Sequence, residues 1–150
     1  MSVLEMLPEG RIIRLYGSIF DRREVESVTK DRERFLAETI FESLVTLGNQ
    51  SAAPVTILIN SMGGSVKAGL MIIQAIEHLQ AKGIEVHTLV FGSSMSMASI
   101  ILASGTEGKR YATSRSVIHF HSARMTIPSD SKIDEKEKER MIEEGNRLSI

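Results

Sequence analysis

The stretch that decides the fold is residues 84–105, which reads IEVHTLVFGSSMSMASIILASG. Its first part, residues 84–91, is rich in branched apolar residues and predicts a strand. Its last part, from about Ser96 to Ala103, predicts a helix of small and apolar residues. A cluster of serines stands between the two, where the carboxyl end of a strand leads into a helix, and functional loops of α/β proteins occur at such ends.

The order of strand followed by helix recurs along the chain. We predict strands at residues 11–16, 55–59, near 109–112 and near 116–120, and helices at about 24–47 and about 66–81, the first of them stopped by Gly48 and Asn49. The run at 55–59 is almost wholly apolar, as in strands covered on both faces. This alternation predicts an α/β fold with a mostly parallel sheet, βα repeats and right-handed crossovers.

Composition narrows the class of protein. The chain has 150 residues, of which 42% are hydrophobic, so we expect one domain with a core of its own. A net charge of −1 offers no basic surface for nucleic acid. The absence of cysteine removes disulfides and thiolate metal sites and fits a reducing compartment. No signal peptide or apolar run of membrane-spanning length is present, so we expect a soluble, cytoplasmic protein.

Ser96 is the candidate nucleophile with the best position. A serine hydroxyl reacts with a carbonyl group only when a base and an oxyanion site assist it. At the start of a helix the backbone N–H groups have no intrahelical acceptor, so the N–H of Met97 is one candidate oxyanion donor. The glycine pair Gly63 and Gly64, which follows the strand at 55–59, is a candidate for the other, because glycine allows the backbone to approach a substrate closely.

Each of these features also has an ordinary structural explanation. The serines of the cluster could cap a helix or pack as small residues. The glycine pair could be a simple loop or a phosphate-binding turn, although it matches neither phosphate-binding motif. His119 and His121 lie two apart on a predicted strand and would share one face, with Ile118 and Phe120 on the other. A metal site is disfavoured, because no thiolate or nearby carboxylate completes a ligand set, and we expect no cofactor.

Three motifs in order resemble the proteolytic subunit of the Clp protease. They are INSMGGSVKAG at residues 59–69, GSSMSMAS at 92–99 and GTEGKRY at 105–111. The likeness covers about residues 11–125, the head of the domain, and residues 131–150 would begin the handle helix through which two rings interlock. The family's fold has the same mostly parallel α/β architecture.

The resemblance implies a serine endopeptidase that cleaves unfolded proteins or peptides and assembles into stacked homo-oligomeric rings. Aligned without gaps, it makes Ser96 the nucleophile and His121, rather than His119, the general base. It makes the N–H groups of Gly64 and Met97 the oxyanion donors. It also implies that an extended peptide pairs with two backbone segments, namely Ser65 with Val66 and Ser122 with Ala123.

The chain departs from the family pattern at several points. Met62 replaces a proline, and the carboxylate of the family's triad has no match before Ile150, so we expect a fragment, a dyad or an inactive site. About ten residues precede the first strand, where the family has a longer segment that contacts an AAA+ unfoldase, which argues against that partner. Three alternatives stay open: a catalytically silent ring subunit, a crotonase-type acyl-CoA enzyme, and a serine–lysine dyad with Lys67 as base.

Overall fold

A computed structural model describes residues 10–20 and 37–121 of the chain. The chain divides into two compact units, Met1–His119 and Phe120–Ile150. Of the second unit only residues 120 and 121 are described, and both are exposed. The predicted handle helix at 131–150, the first part of the helix predicted from residue 24, and the predicted peptide-pairing residues Ser122 and Ala123 lie outside the described residues.

The first unit alternates strands and helices, which confirms the predicted α/β class. Its elements in chain order are β1 (Ile12–Ile19), α1 (Ala37–Gln50), β2 (Val55–Gly64), α2 (Val66–Ala81), β3 (Val86–Met95), α3 (Met97–Ala103), β4 (Arg110–Ala112) and β5 (Val117–His119). The bounds of α2 are those that its apolar pattern and the following Lys-Gly pair predict.

The described strands form one five-stranded sheet in which every pairing is parallel. The order is β1-β2-β3-β4, and β5 pairs with β3 beyond the point where β4 does. Residues 88–90 of β3 pair with β4, and residues 93–95 pair with β5. Because the strands are parallel, the carboxyl ends of β2, β3 and β5 reach the same edge of the sheet.

The strands β2 and β3 are longer than the sequence predicts. The polar and glycine-containing stretches after residues 59 and 91, predicted as turns, continue as strand to Gly64 and Met95. A shift in register lies between Ile59 and Ser61, after which Ser61 pairs with Ser94. The side chain of Asn60 accepts a hydrogen bond from the Ser93 N–H at 3.1 Å. With these cross-strand contacts, each strand continues to the residue immediately before the N-cap of the following helix.

The core lies where α1 and α2 pack together and on the sheet. Ile57 and Ile59 of β2 and Leu79 of α2 are fully buried there. The predicted stop of α1 at Gly48 is wrong, because the helix continues to Gln50. Gly48 instead provides space for α2, since a Cβ at this position would lie 3.0 Å from the side chain of Leu79. Sequence rules assign such a glycine to helix termination, but Gly48 allows two helices to pack closely.

Candidate active site

The structure places Gly63, the first glycine of the pair, directly against the serine turn. A Cβ at Gly63 would lie 2.5 Å from the Met95 carbonyl oxygen, 2.8 Å from the Ser96 Cβ and 3.0 Å from the Met97 nitrogen. At Gly64, a Cβ would overlap the main chain of Ile19. Only glycine fits at these two positions. Gly63 packs against Ser96 and Met97, and Gly64 packs against Ile19.

Ser96 has a strained backbone. Its φ of 53° and ψ of −125° make it the only residue other than glycine with positive φ in the described part of the chain. Such a conformation costs on the order of 1–3 kcal/mol and persists where the surrounding structure enforces it, most often at functional sites. Ser96 stands between the last residue of β3 and the first residue of α3. The turn therefore bends sharply at the serine itself.

Helix capping does not explain Ser96. It occupies the N-cap position of α3, yet its side chain makes no capping hydrogen bond. Ser65, at the N-cap of α2, shows the ordinary behaviour: its Oγ accepts a hydrogen bond from the Ala68 N–H at 3.3 Å. Ser96 is half-buried. The contrast between the two serines argues against helix capping as the role of the Ser96 hydroxyl.

Hydrogen bonds fix the main chain of the turn on both sides. The Ser96 N–H donates to the His119 carbonyl oxygen at 2.9 Å, which continues the pairing of β3 with β5 by one residue. The Ser96 carbonyl oxygen accepts from the Ser99 N–H at 2.9 Å. The Met97 side chain is buried and occupies space that a Cβ at Gly69 of α2 would fill. The first turn of α3 is thus held against α2.

Sequence reasoning missed two contributions to this turn. The first is the main chain of His119, because the sequence directed attention to histidine side chains. The second is Ser99, which is fully buried and whose Oγ lies 2.6 Å from the Ser94 carbonyl oxygen and 3.0 Å from that of His119. A hydroxyl on the buried face of an otherwise apolar helix, one turn after Ser96, was the available signal.

The predicted peptide-pairing segment after Gly64 needs a correction at Ser65. Its N–H donates to the Ile19 carbonyl oxygen at 2.8 Å, and its own carbonyl oxygen accepts from the Gly69 N–H at 3.0 Å. Its N–H is therefore not available to a peptide. Val66 is the first residue of α2 and is 44% exposed. The first N–H groups of a helix have no intrahelical acceptor, so the prediction for Val66 stays open.

The two histidines are separated by the boundary between the units. β5 ends at His119, in the first unit, so the predicted strand does not extend to His121. His121 is exposed and belongs to the second unit. That it lies beside Ser96 remains a prediction from the sequence, as do the roles of Gly64 and Met97.

Two further properties concern metals and membranes. Within residues 10–20 and 37–121, no group of three His, Asp or Glu side chains is placed to hold a metal ion. None of the helices that the structure describes is both long and apolar enough to cross a membrane.

A strained serine where a strand of a parallel sheet leads into a helix is an arrangement that α/β hydrolases use to expose a nucleophile. The profile of the Clp protease family matches residues 8–148. A Synechococcus protein named ATP-dependent Clp protease proteolytic subunit 3 is 37% identical over 154 aligned positions, covering 97% of this chain and 75% of the relative. An ATP-dependent Clp protease proteolytic subunit of Ligilactobacillus salivarius is 34% identical, covering 80% of this chain and 60% of the relative.

The chain therefore belongs to the Clp protease family, and it is a Clp-type peptidase. The predictions of the family and of its mostly parallel α/β fold are thereby confirmed.

Proposed function

We propose that the protein is a serine endopeptidase that hydrolyses peptides or unfolded proteins through an acyl-enzyme at Ser96. The observation that carries the proposal is the strained backbone of Ser96, φ 53°, combined with a hydroxyl that takes no part in capping. Strain of this kind at a strand-to-helix turn presents a serine Oγ for attack in hydrolases. The family membership supports the same chemistry.

In the proposed mechanism, His121 takes the proton of the Ser96 hydroxyl while Oγ attacks the carbonyl carbon of the substrate. The negative charge that develops on the carbonyl oxygen is stabilised by the N–H groups of Gly64 and Met97. The C–N bond then breaks, and the proton held by His121 passes to the departing amine. A water molecule, deprotonated by His121, attacks the resulting ester, releases the acid and restores the serine.

The close packing of Gly63 against the turn supports the oxyanion assignment. A Cβ at Gly63 would lie 3.0 Å from the Met97 nitrogen, so the two backbone segments that would supply donors are adjacent. Donors that are fixed before the substrate binds need no reorganisation during the reaction. Removal of one oxyanion donor typically raises the barrier by about 3 kcal/mol.

We extend the proposal to substrate binding and assembly. Val66, with Ser122 and Ala123, would pair with the backbone of an extended peptide, a mode that tolerates many sequences. The protein would act as a homo-oligomeric ring in the cytoplasm, as its family membership and lack of cysteine suggest.

The proposal is tested by hydrolysis of a fluorogenic peptide by the parent protein and three variants. Ser96→Ala and His121→Ala should each lower turnover by about three orders of magnitude or more, as in other serine enzymes that lose nucleophile or base. Lys67→Ala is the control and should keep the parent rate.

A parent rate equal to that of Ser96→Ala would refute the proposal and favour a silent ring subunit. Loss of turnover in Lys67→Ala, with His121→Ala active, would move the base to lysine.

A further inference from the structure

Ser99 ties together the three segments that surround Ser96. Its Oγ lies within hydrogen-bond distance of the carbonyl oxygens of Ser94, at 2.6 Å, and of His119, at 3.0 Å. Its N–H donates to the carbonyl oxygen of Ser96 at 2.9 Å. One residue of α3 therefore contacts the end of β3, the end of β5 and the strained residue itself.

Both carbonyl oxygens that the Ser99 hydroxyl contacts lie on main chain next to Ser96. Ser94 lies two residues before Ser96, and the His119 carbonyl oxygen also accepts the N–H of Ser96 at 2.9 Å. A hydroxyl has one hydrogen, so Ser99 shares it between the two carbonyl oxygens. The side chain is fully buried, where water cannot replace a lost hydrogen bond. Its loss would loosen both strand ends next to the turn.

We propose that Ser99 is a positioning residue that holds Ser96 in its strained conformation and so keeps the nucleophile aligned. The proposal rests on the proposed function of Ser96. A strained φ/ψ pair relaxes unless its neighbours over-determine it. Ser99 supplies hydrogen bonds on both sides of the strain, one from its backbone and the shared one from its hydroxyl.

Ser94 provides a matched control. It is also fully buried, but its Oγ has no hydrogen-bond partner within the described part of the chain. Ser94→Ala leaves the backbone carbonyl that accepts from Ser99 in place, and removal of an unpartnered hydroxyl is neutral or slightly stabilising. Ser99→Ala removes a hydroxyl of the same size that is bonded.

The test measures the rate at which a fluorophosphonate probe labels the protein, well below the unfolding midpoint of every variant. Ser99→Ala should be labelled about five- to tenfold more slowly, the factor that loss of one ordinary hydrogen bond gives. Ser99→Cys, which keeps the side-chain shape with a slightly larger atom that donates only weakly, should behave like Ser99→Ala. If Ser99→Ala does not fold, Ser99→Cys takes its place in the comparison with the parent and Ser94→Ala. Ser94→Ala should keep the parent rate.

A second measurement separates this inference from the proposed function. Amide hydrogen exchange at Ser96 should be faster in Ser99→Ala and Ser99→Cys than in Ser94→Ala, whether or not the protein is an enzyme. Unlabelled parent protein would refute the proposed function alone, and exchange would then decide the role of Ser99. The inference would be overturned if both Ser99 variants showed the labelling rate and the exchange rate of the parent. It would also be overturned if their labelling slowed only in proportion to the fraction of unfolded protein.

Discussion

Replacement of Gly63 by alanine probes the packing on which the candidate site depends. Gly63 has φ +90°, and an added Cβ would lie 2.5 Å from the Met95 carbonyl oxygen and 2.8 Å from the Ser96 Cβ. Neither atom can move by rotation of a side chain, since one belongs to the backbone and the other is fixed to it. The strained turn must therefore shift as a unit.

The expected loss of stability in Gly63→Ala has two parts. A residue with a Cβ in the left-handed region costs about 1–2 kcal/mol. Overpacking against immobile atoms typically adds about 1–3 kcal/mol. We expect the free energy of unfolding to fall by about 3 kcal/mol in total. Because a displacement near 1 Å costs roughly 10²-fold in rate, we also expect peptide hydrolysis to slow by roughly 10- to 100-fold.

Gly83→Ala is the matched control. Gly83 has φ +76°, and a Cβ there would meet no atom within 4 Å. This variant should lose only the conformational part, about 1–2 kcal/mol, and keep the parent rate of hydrolysis. Denaturant unfolding and initial rates of peptide cleavage measure both quantities. Equal losses of stability in the two variants, with Gly63→Ala fully active, would refute the close packing of Gly63 on the serine turn.

Two further predictions concern parts of the molecule away from the site. The Arg11 guanidinium donates to four carbonyl oxygens at 2.9–3.3 Å near the end of α1 and the following loop. Arg11→Ala should therefore lower the free energy of unfolding by about 2 kcal/mol. The control Arg14→Ala, at an exposed arginine, should change it little. Equal effects of the two substitutions would contradict the hydrogen bonds of Arg11. A hydrogen bond from His87, with help from Lys109, lowers the pKa of Glu85. The stabilisation by ionised Glu85 should be present at neutral pH and disappear as pH falls through that lowered pKa. The thermal unfolding midpoints of Glu85→Gln and the parent should therefore converge in acid. A difference that persists in acid would argue against the interaction of Glu85 with His87.

The parts of the fold that follow from local pattern were predictable from the sequence. The apolar run at 55–59 and the periodic spacing of 66–81 reflect burial on a sheet and on one helix face, so they identified β2 and α2. The extension of β2 to Gly64 was not predictable in this way, because polar residues entered the sheet through contacts with β3 such as that of Asn60 with Ser93. Such pairing depends on tertiary structure, which periodicity does not encode.

The candidate site was predictable as a set of chemical groups and not as a geometry. The position of Ser96 between a strand and a helix, and the glycine pair at the neighbouring strand end, predicted that these residues meet. Nothing local in the sequence predicted the positive φ of Ser96. The hydroxyl of Ser99 on an otherwise apolar helix was a local signal of a buried hydrogen bond, but the sequence did not identify its acceptors. Both arise where β3, β5 and α3 come together, and the resemblance to the family supplied His121.

The most direct test of the nucleophile is the mass of the protein after reaction with a fluorophosphonate. Ser96 Oγ would form a bond to phosphorus as fluoride leaves, so we predict a single adduct that peptide mapping places on Ser96. Ser96→Ala should carry none, and Ser93→Ala, changed at a nearby serine of the same cluster, should label like the parent. An unmodified parent protein, or an adduct on any other serine, would contradict the assignment.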